Sequence, residues 1–328
     1  MSAIDFTSIP VLDLAKATRD KIVFLAELQH ALIHTGFFYV KGHKISSDLL
    51  NSLTKQTIAY FDLPLDEKLK TDKTNFPAFL GYSSLEGRPI YECLTGPNLW
   101  PAEEVLPGFR QTILSFQSQA QDLAETLIRL VAEALDLAPN ALLDRYVLPR
   151  QQHHAKLIKY PAVDQLSPLE GTQGVGPHRD TGSFLSILYQ ANGLPGLQVQ
   201  NHAGTWIDAP AIPNTFVMNI GTGLEYLVQN VAVATTHRVP SPPAGCGPRY
   251  SIPFFLRGRL DQKLIPIDIP QRILDQRPQT VVTDSGHQFR QLYANDPGLY
   301  TLLNCISSHR DVGIKFYPQL AKDYNISH

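Results

Sequence analysis

The second half of the chain contains a series of short β-like segments. They are separated by Gly, Pro or Asn and span residues 155–160, 183–189, 197–200, 216–220 and 250–256. Short strands at modest spacing favour a sandwich or a barrel over alternating βαβ units, in which a helix follows each strand. The sequence therefore predicts a mainly β core in this half of the chain.

Helical patterns flank this core on both sides. Residues from about Ala15 to His34 and from about Phe109 to Leu137 repeat apolar side chains at three- and four-residue steps, which indicates helices with one buried face. The chain becomes helical again from about Gln288, and no repeat or flexible linker divides it. We predict one domain over 1–328, with a helical region at 1–150, the β core at 151–285 and a helical tail at 286–328.

Composition excludes several classes of protein. The 328 residues are 43% hydrophobic and carry a formal net charge of −2, which gives no electrostatic basis for binding nucleic acid or an anionic membrane. No apolar run approaches the roughly 18 residues of a membrane span. Three dispersed cysteines, Cys93, Cys246 and Cys305, indicate a reducing compartment rather than a disulfide framework. Since no signal peptide is visible, we expect a cytoplasmic protein.

Candidate metal ligands occur in the segment Gly-Pro-His178-Arg-Asp180-Thr-Gly and, much later, at His237. In a strand, residues two apart point to the same face, so His178 and Asp180 can converge on one point while Arg179 faces away. Two imidazoles and one carboxylate form the facial triad of non-haem Fe(II) oxygenases, whose open positions accept substrate oxygens and O₂. Taken alone, an HxD pair is more often a hydrogen-bonded surface pair, and a single histidine is more often structural.

A candidate anion receptor follows at Arg249 and Ser251, which are also two residues apart on a β-like segment. A guanidinium and a hydroxyl on one face suit a carboxylate, because the arginine supplies charge-assisted hydrogen bonds. If this face looks toward the metal, a keto acid can chelate iron at one end and bind Arg249 and Ser251 at the other. Tyr160 ends an earlier predicted strand and can donate a further hydrogen bond. Taken alone, the Arg-x-Ser pair carries little information.

The order of these motifs resembles the isopenicillin N synthase-like branch of the Fe(II)/2-oxoglutarate dioxygenases. The HxD pair is followed by His237 and then by Arg-x-Ser, as in that family. Further segments similar to family motifs extend over nearly the whole chain, at 9–14, 36–43, 61–68, 79–82, 195–199, 217–221, 230–239 and 309–318.

The resemblance implies a double-stranded β-helix, a jelly-roll relative, wrapped by N-terminal and C-terminal helices. It also implies that His178, Asp180 and His237 bind Fe(II) and that Tyr160, Arg249 and Ser251 contact 2-oxoglutarate. The implied activity couples O₂ and decarboxylation of 2-oxoglutarate to oxidation of a small molecule. Hydroxylation, desaturation or ring rearrangement in specialised metabolism are the expected outcomes.

The substrate pocket is predicted at Phe79, Tyr82 and Tyr91, from a long irregular segment, and at Phe254. These aromatic side chains favour an uncharged or aromatic organic substrate, although core packing explains each of them equally well. Two further functions remain open. An iron-dependent oxidase that does not use 2-oxoglutarate would hold a substrate carboxylate on Arg249, and a non-catalytic binder would retain only the scaffold.

Overall fold

The computed structural model describes residues 5–77, 79, 90–93, 98–148, 153–165, 173–278 and 292–326. The strands among these residues are β1 (Val11–Asp13), β2 (Phe37–Lys41), β3 (Ile90–Cys93), β4 (His154–Tyr160), β5 (Gln173–His178), β6 (Ser183–Gln190), β7 (Gln198–Gln200), β8 (Trp206–Asp208), β9 (Thr215–Ile220), β10 (His237–Pro240) and β11 (Arg249–Arg257). The helices are α1 (Lys16–Arg19), α2 (Lys21–His34), α3 (Ser47–Asp62), α4 (Leu65–Leu69), α5 (Phe109–Ala134), α6 (Leu143–Tyr146), α7 (Thr222–Leu227), α8 (Gln271–Leu274), α9 (Pro297–Ser308), α10 (Arg310–Phe316) and α11 (Pro318–Asp323).

The strands form two sheets. The larger has the order β1-β2-β9-β6-β11-β4-β3, and the smaller has the order β5-β10-β7-β8. The pairing of β1 with β2 is parallel, and every other described pairing is antiparallel. Apart from the β7–β8 hairpin, neighbours in each sheet are distant in sequence, which is typical of a jelly roll and differs from a meander. The N-terminal strands β1 and β2 belong to the same sheet as the later core strands.

Apolar side chains from both sheets share one cluster. Phe37 and Val217 of the larger sheet contact the same cluster as Val199 and Val239 of the smaller one. The opposite side of the larger sheet packs on α2, α3 and α5, where most buried residues of the protein lie. The larger sheet is thus covered on both faces, and the helices form an outer layer.

The predicted helices form where their sequence patterns placed them. The inner face expected for α5 is buried throughout, at Ile113, Phe116, Ala120, Leu123, Leu127 and Leu130. Ser46 caps α3 by accepting a hydrogen bond from the Leu49 amide at 3.2 Å. The helical stretch expected from Ala15 is interrupted at Asp20, where α1 ends and α2 begins.

Gly36 follows the C-terminal end of α2, and its position leaves no room for a side chain. Its φ is +63°, and a Cβ atom there would lie 2.1 Å from the carbonyl oxygen of Val233. The turn therefore brings β2 against the segment that precedes β10. No helix among the described residues is both long and apolar enough to cross a membrane.

A buried lysine attaches the C-terminal helices to the N-terminal region. Lys73 is 1% exposed, and its Nζ lies 3.0 Å from Oδ1 of Asp311 and 3.2 Å from Nδ1 of His309. Phe79 stacks on Tyr317 nearby, with ring centroids 5.4 Å apart. These contacts hold α10 and α11 and so position α9, which reaches the cavity described below.

Candidate metal centre and its cavity

His178, Asp180 and His237 meet where β5 pairs with β10. His178 is the last residue of β5, His237 is the first of β10, and the two are direct partners in the antiparallel register. Both Nε2 atoms lie 3.7 Å from Oδ1 of Asp180, and the three ligand atoms lie within 4.8 Å of one another. Asp180 lies beyond the end of β5. The loop after the strand, rather than strand alternation, therefore turns its carboxylate toward the imidazoles.

The Asp180 carboxylate is oriented by two neutral donors. Ser186 Oγ and Asn219 Nδ2 both donate to Oδ2, at 2.5 and 2.7 Å. Oδ1 is left facing the two histidines. Burial alone would raise the pKa of this carboxyl, but His237, His178 and the two hydrogen bonds outweigh it, so the pKa lies below its ordinary value. The Asp180 carboxyl is therefore ionised, which is the form that binds metals.

Backbone carbonyls set the tautomer of both imidazoles. Nδ1 of His178 lies 2.9 Å from the Gly176 carbonyl oxygen, and Nδ1 of His237 lies 3.2 Å from that of Thr235. A carbonyl oxygen only accepts hydrogen bonds, so each Nδ1 carries the proton and each Nε2 presents its lone pair to the common point. Burial lowers the pKa of His237, which favours the neutral form that binds metals. This donor set fits a divalent iron ion.

Arg179, between the two ligands, makes contacts away from the triad. Its Nε donates to the Ala234 carbonyl oxygen at 2.6 Å, and its Nη2 pairs with Glu225 Oε2. Glu225 Oε1 in turn accepts from the Ala234 amide at 2.9 Å. Arg179 thus ties the ligand loop to α7 and to the segment that leads into β10.

Arg249, Ser251 and Tyr160 lie together at one end of the same cavity. Arg249 is directly opposite Tyr160 in the β4–β11 register, and its Cζ lies 5.2 Å from the Tyr160 ring centroid. Arg249 is 1% exposed, as is Ser251. The guanidinium donates from Nη2 to Gln190 Oε1 at 3.0 Å and from Nε to the Leu194 carbonyl oxygen at 3.3 Å.

One donor of this buried guanidinium remains unused. Arg249 Nη1 is buried and has no hydrogen-bond partner among the described residues. Burial lowers the pKa of Arg249, because its charge is removed from water. A buried donor of this kind is costly until an acceptor occupies the space beside it. The carboxylate of a keto acid is such an acceptor, so these residues fit 2-oxoglutarate.

A cavity of about 730 Å³ joins the triad to Arg249. Residues from β4, β5, β6, β10 and β11 line it, and Asn304 and Ser308 of α9 close one side. Asn304 and Ser308 are four residues apart and so share one face of that helix. The volume is within the range of pockets that bind small molecules.

The predicted substrate residues lie elsewhere or outside the described part of the chain. Phe254 does not line the cavity: it is fully buried in the core and packs near His153, because its side chain points to the face of β11 opposite Arg249 and Ser251. Phe79 also lies away from the cavity, against Tyr317. Tyr82 and the side chain of Tyr91 lie outside the described residues.

Several residues in or next to the cavity were not foreseen. Asn219 and Gln190 hold Asp180 and Arg249, and Lys156, Phe255 and Arg257 line the wall beyond the triad. Phe255 and Arg257 are separated from Arg249 and Ser251 by even numbers of residues. The alternation of a strand therefore already indicated that all four side chains share one face of β11. No local pattern marks Asn304 or Ser308, because their helix reaches the cavity only through tertiary packing.

Comparisons with known proteins agree with this geometry. The family model described as "non-haem dioxygenase in morphine synthesis N-terminal" matches residues 9–89, and the model of the 2OG-Fe(II) oxygenase superfamily matches residues 145–258. The 2-oxoglutarate-dependent dioxygenase frbJ of Dothideomycetidae sp. (strain 11243) is 37% identical over 350 aligned residues, which cover 96% of this chain and 94% of that protein.

Two further proteins are similar over almost their full length. A 2-oxoglutarate-dependent dioxygenase of Gibberella zeae is 33% identical, over 97% of this chain and 93% of that protein. The crystal structure of full-length Neurospora crassa T7H with alpha-KG and thymine is 25% identical, with a TM-score of 0.75, over 94% of this chain and 100% of that one.

These similarities confirm the predicted jelly-roll fold, with its helical flanks, and the predicted enzyme class. The protein is a dioxygenase that uses Fe(II), 2-oxoglutarate and O₂. Because the most similar of the relatives named here aligns along nearly the whole sequence, the chain belongs to the 2OG-Fe(II) oxygenase superfamily.

Proposed function

We propose that this protein oxidises a C–H bond of a small organic molecule in specialised metabolism, by hydroxylation, desaturation or ring rearrangement. The observation that carries the proposal is one cavity with a complete His-Asp-His triad and, at one end, a buried arginine with an unused donor. Neurospora crassa T7H, which shares the fold, was solved with alpha-KG and thymine, both small molecules.

We assign His178, Asp180 and His237 as the ligands of Fe(II). The Gly176 and Thr235 carbonyls keep the imidazole Nε2 atoms free for the metal. When bound, iron and 2-oxoglutarate together activate O₂, with decarboxylation of the keto acid to succinate and CO₂ and oxidation of the substrate. The protein contributes a fixed geometry and a partly enclosed space that holds the target C–H near the metal.

The same proposal assigns Arg249, Ser251 and Tyr160 to 2-oxoglutarate. Arg249 Nη1 and the Ser251 hydroxyl donate to the carboxylate remote from the metal, and Tyr160 closes this end of the cavity. Gln190 and the Leu194 carbonyl hold the guanidinium plane in place before the ligand arrives. Preorganised donors of this kind lose little freedom on binding.

Succinate formation tests the assigned ligands. Purified protein supplied with Fe(II), 2-oxoglutarate and O₂ is expected to form succinate slowly without substrate and faster with the correct one. Asp180→Ala should remove this activity, whereas Asp261→Ala should retain it, since Asp261 pairs with Arg259 and does not line the cavity. Absence of succinate from the wild-type protein under all conditions would contradict the proposal.

The same assay separates the two alternative functions. O₂ uptake with iron and substrate but without 2-oxoglutarate would identify the oxidase, and failure to bind Fe(II) would identify the non-catalytic binder. We propose a cytoplasmic location as well, supported by Cys246, which is a free and exposed thiol in the structure. The division of 1–328 into one domain with helical flanks also remains part of this proposal.

A further inference from the structure

One face of β11 carries an arginine on each side of the metal triad. Odd-numbered residues of this strand line the cavity from Arg249 to Arg257. In the β6–β11 register, Phe255 lies opposite Ser186, the residue that donates to Asp180. The triad therefore lies level with Phe255, and Arg257 lies beyond it, on the side away from the proposed 2-oxoglutarate end.

The side chain of Arg257 has no partner among the described residues. Its Nε is buried without a hydrogen-bond acceptor, and no ion pair or side-chain hydrogen bond joins it to any residue in the described part of the chain. Its backbone amide donates to Nδ1 of His153 at 3.3 Å. A guanidinium has five N–H donors and no acceptor, so an unpaired one at a cavity wall is suited to an oxyanion.

Negative charge is scarce on this side of the cavity. Among the described lining residues Asp180 is the sole carboxylate, and the metal site uses it. Arg179, which also lines the cavity, is neutralised by Glu225. Lys156 lies on the same wall as Arg257, with its Nζ 5.3 Å from the ring centroid of Phe255.

We infer that the substrate carries a carboxylate and that Arg257 binds it on the far side of the metal from 2-oxoglutarate. This inference rests on the proposed function, because it assigns the Arg249 end to the keto acid. It replaces the uncharged substrate expected from the aromatic residues of the sequence, since Phe79 and Phe254 do not line the cavity. Phe255 supplies an apolar surface beside Arg257, and Asn304 and Ser308 supply neutral polar groups across from it.

Matched pairs of acids and amides test this inference. The full-length protein, loaded with Fe(II) and saturating 2-oxoglutarate in anaerobic buffer, is titrated by calorimetry with benzoate and benzamide, phenylacetate and phenylacetamide, and cinnamate and cinnamamide. Saturation with 2-oxoglutarate keeps the probes from Arg249, and the absence of O₂ prevents turnover. We expect at least one acid to bind about tenfold or more tightly than its amide, as a charge-assisted hydrogen bond allows.

Two arginines of the same region provide the matched comparison. Arg257→Gln should abolish the preference for the acid, and Arg257→Lys, which keeps the charge but not the planar fork, should retain part of it. Arg259→Gln should keep the full preference, because Arg259 binds Asp261 through Nε at 2.9 Å and Nη2 at 3.1 Å and lies outside the cavity lining. Thermal unfolding of each variant confirms that it folds.

The outcomes distinguish this inference from the proposed function. If no acid binds more tightly than its amide, or if the preference survives in Arg257→Gln, the assignment of Arg257 is overturned. An equal loss in Arg259→Gln would show a general charge effect and would also overturn it. Failure of the wild-type protein to bind 2-oxoglutarate before any probe is added would instead overturn the proposed function.

Discussion

Replacing Arg249 with methionine is expected to remove 2-oxoglutarate binding without destabilising the ligand-free protein by much. The guanidinium is buried, it donates to the neutral Gln190 side chain and to the Leu194 carbonyl oxygen, and its Nη1 has no hydrogen-bond partner among the described residues. Loss of the two bonds to a charged donor costs about 1.5–3 kcal/mol each. Removal of a buried and uncompensated charge acts in the opposite direction by several kcal/mol. The free energy of unfolding should therefore stay within about 2 kcal/mol of the wild-type value.

The ligand-bound state should respond much more strongly. Truncating one partner of a buried charge pair costs about 2–5 kcal/mol, which weakens 2-oxoglutarate binding by roughly 30-fold or more. At a 2-oxoglutarate concentration of about 100 times the wild-type Kd, the ligand should stabilise the wild-type protein by about 2.7 kcal/mol. The Arg249→Met protein should gain less than about 1 kcal/mol under the same conditions.

Thermal and urea unfolding of the metal-loaded protein, with and without 2-oxoglutarate, measure both quantities. Arg259→Met serves as the control, because Arg259 pairs with Asp261 away from the cavity. If 2-oxoglutarate stabilises Arg249→Met as much as the wild type, another residue binds the keto acid. A loss of more than about 3 kcal/mol in the ligand-free variant would show that the Arg249 charge is already compensated in the fold.

Three further predictions follow from the site and its surroundings. Asp180→Ala should lose bound Fe(II) and succinate formation while its circular dichroism spectrum stays that of the wild type; unchanged iron content would rule out Asp180 as a ligand. Asn219→Leu should weaken metal binding by about 10- to 100-fold in a metal titration, because Oδ2 of Asp180 loses a donor that orients it; unaltered affinity would show that Ser186 suffices. Burial lowers the pKa of His153 to about 4 from 6.5 in the unfolded chain. The unfolded state therefore binds more protons between these values, and stability should fall by about 2 kcal/mol from pH 7 to pH 5 in urea unfolding. His153→Phe should remove that part of the pH dependence, and an unchanged slope would mean that other groups cause it.

Much of the candidate site could be predicted from local sequence. The His-x-Asp pair, the later His237 and the Arg-x-Ser pair each have the residue types that their chemistry needs. Periodic apolar residues identified α2 and α5. The periodicity of these helices and the spacing of the Arg-x-Ser pair each lie along a single element, so the sequence states them directly.

Other parts of the fold escaped prediction for a physical reason. β5 contains two glycines and a proline, and β10 has four residues and ends in Pro240, so neither has a strong strand pattern of its own. Their pairing, which places His178 opposite His237, is a contact between segments far apart in sequence. Long-range pairing of this kind depends on which surfaces the whole chain buries, and a local pattern does not encode it.

The face of β11 that lines the cavity shows most clearly what the sequence determined and what the tertiary structure determined. Sequence by itself determined the types of residue on β11 and their alternation, which already separates Phe254 from Phe255. The tertiary structure decided which face looks into the cavity, what lies opposite it and that Nε of Arg257 has no hydrogen-bond partner in the described part of the chain. Alternation is a property of one strand, whereas burial and charge balance are properties of all the elements that surround it.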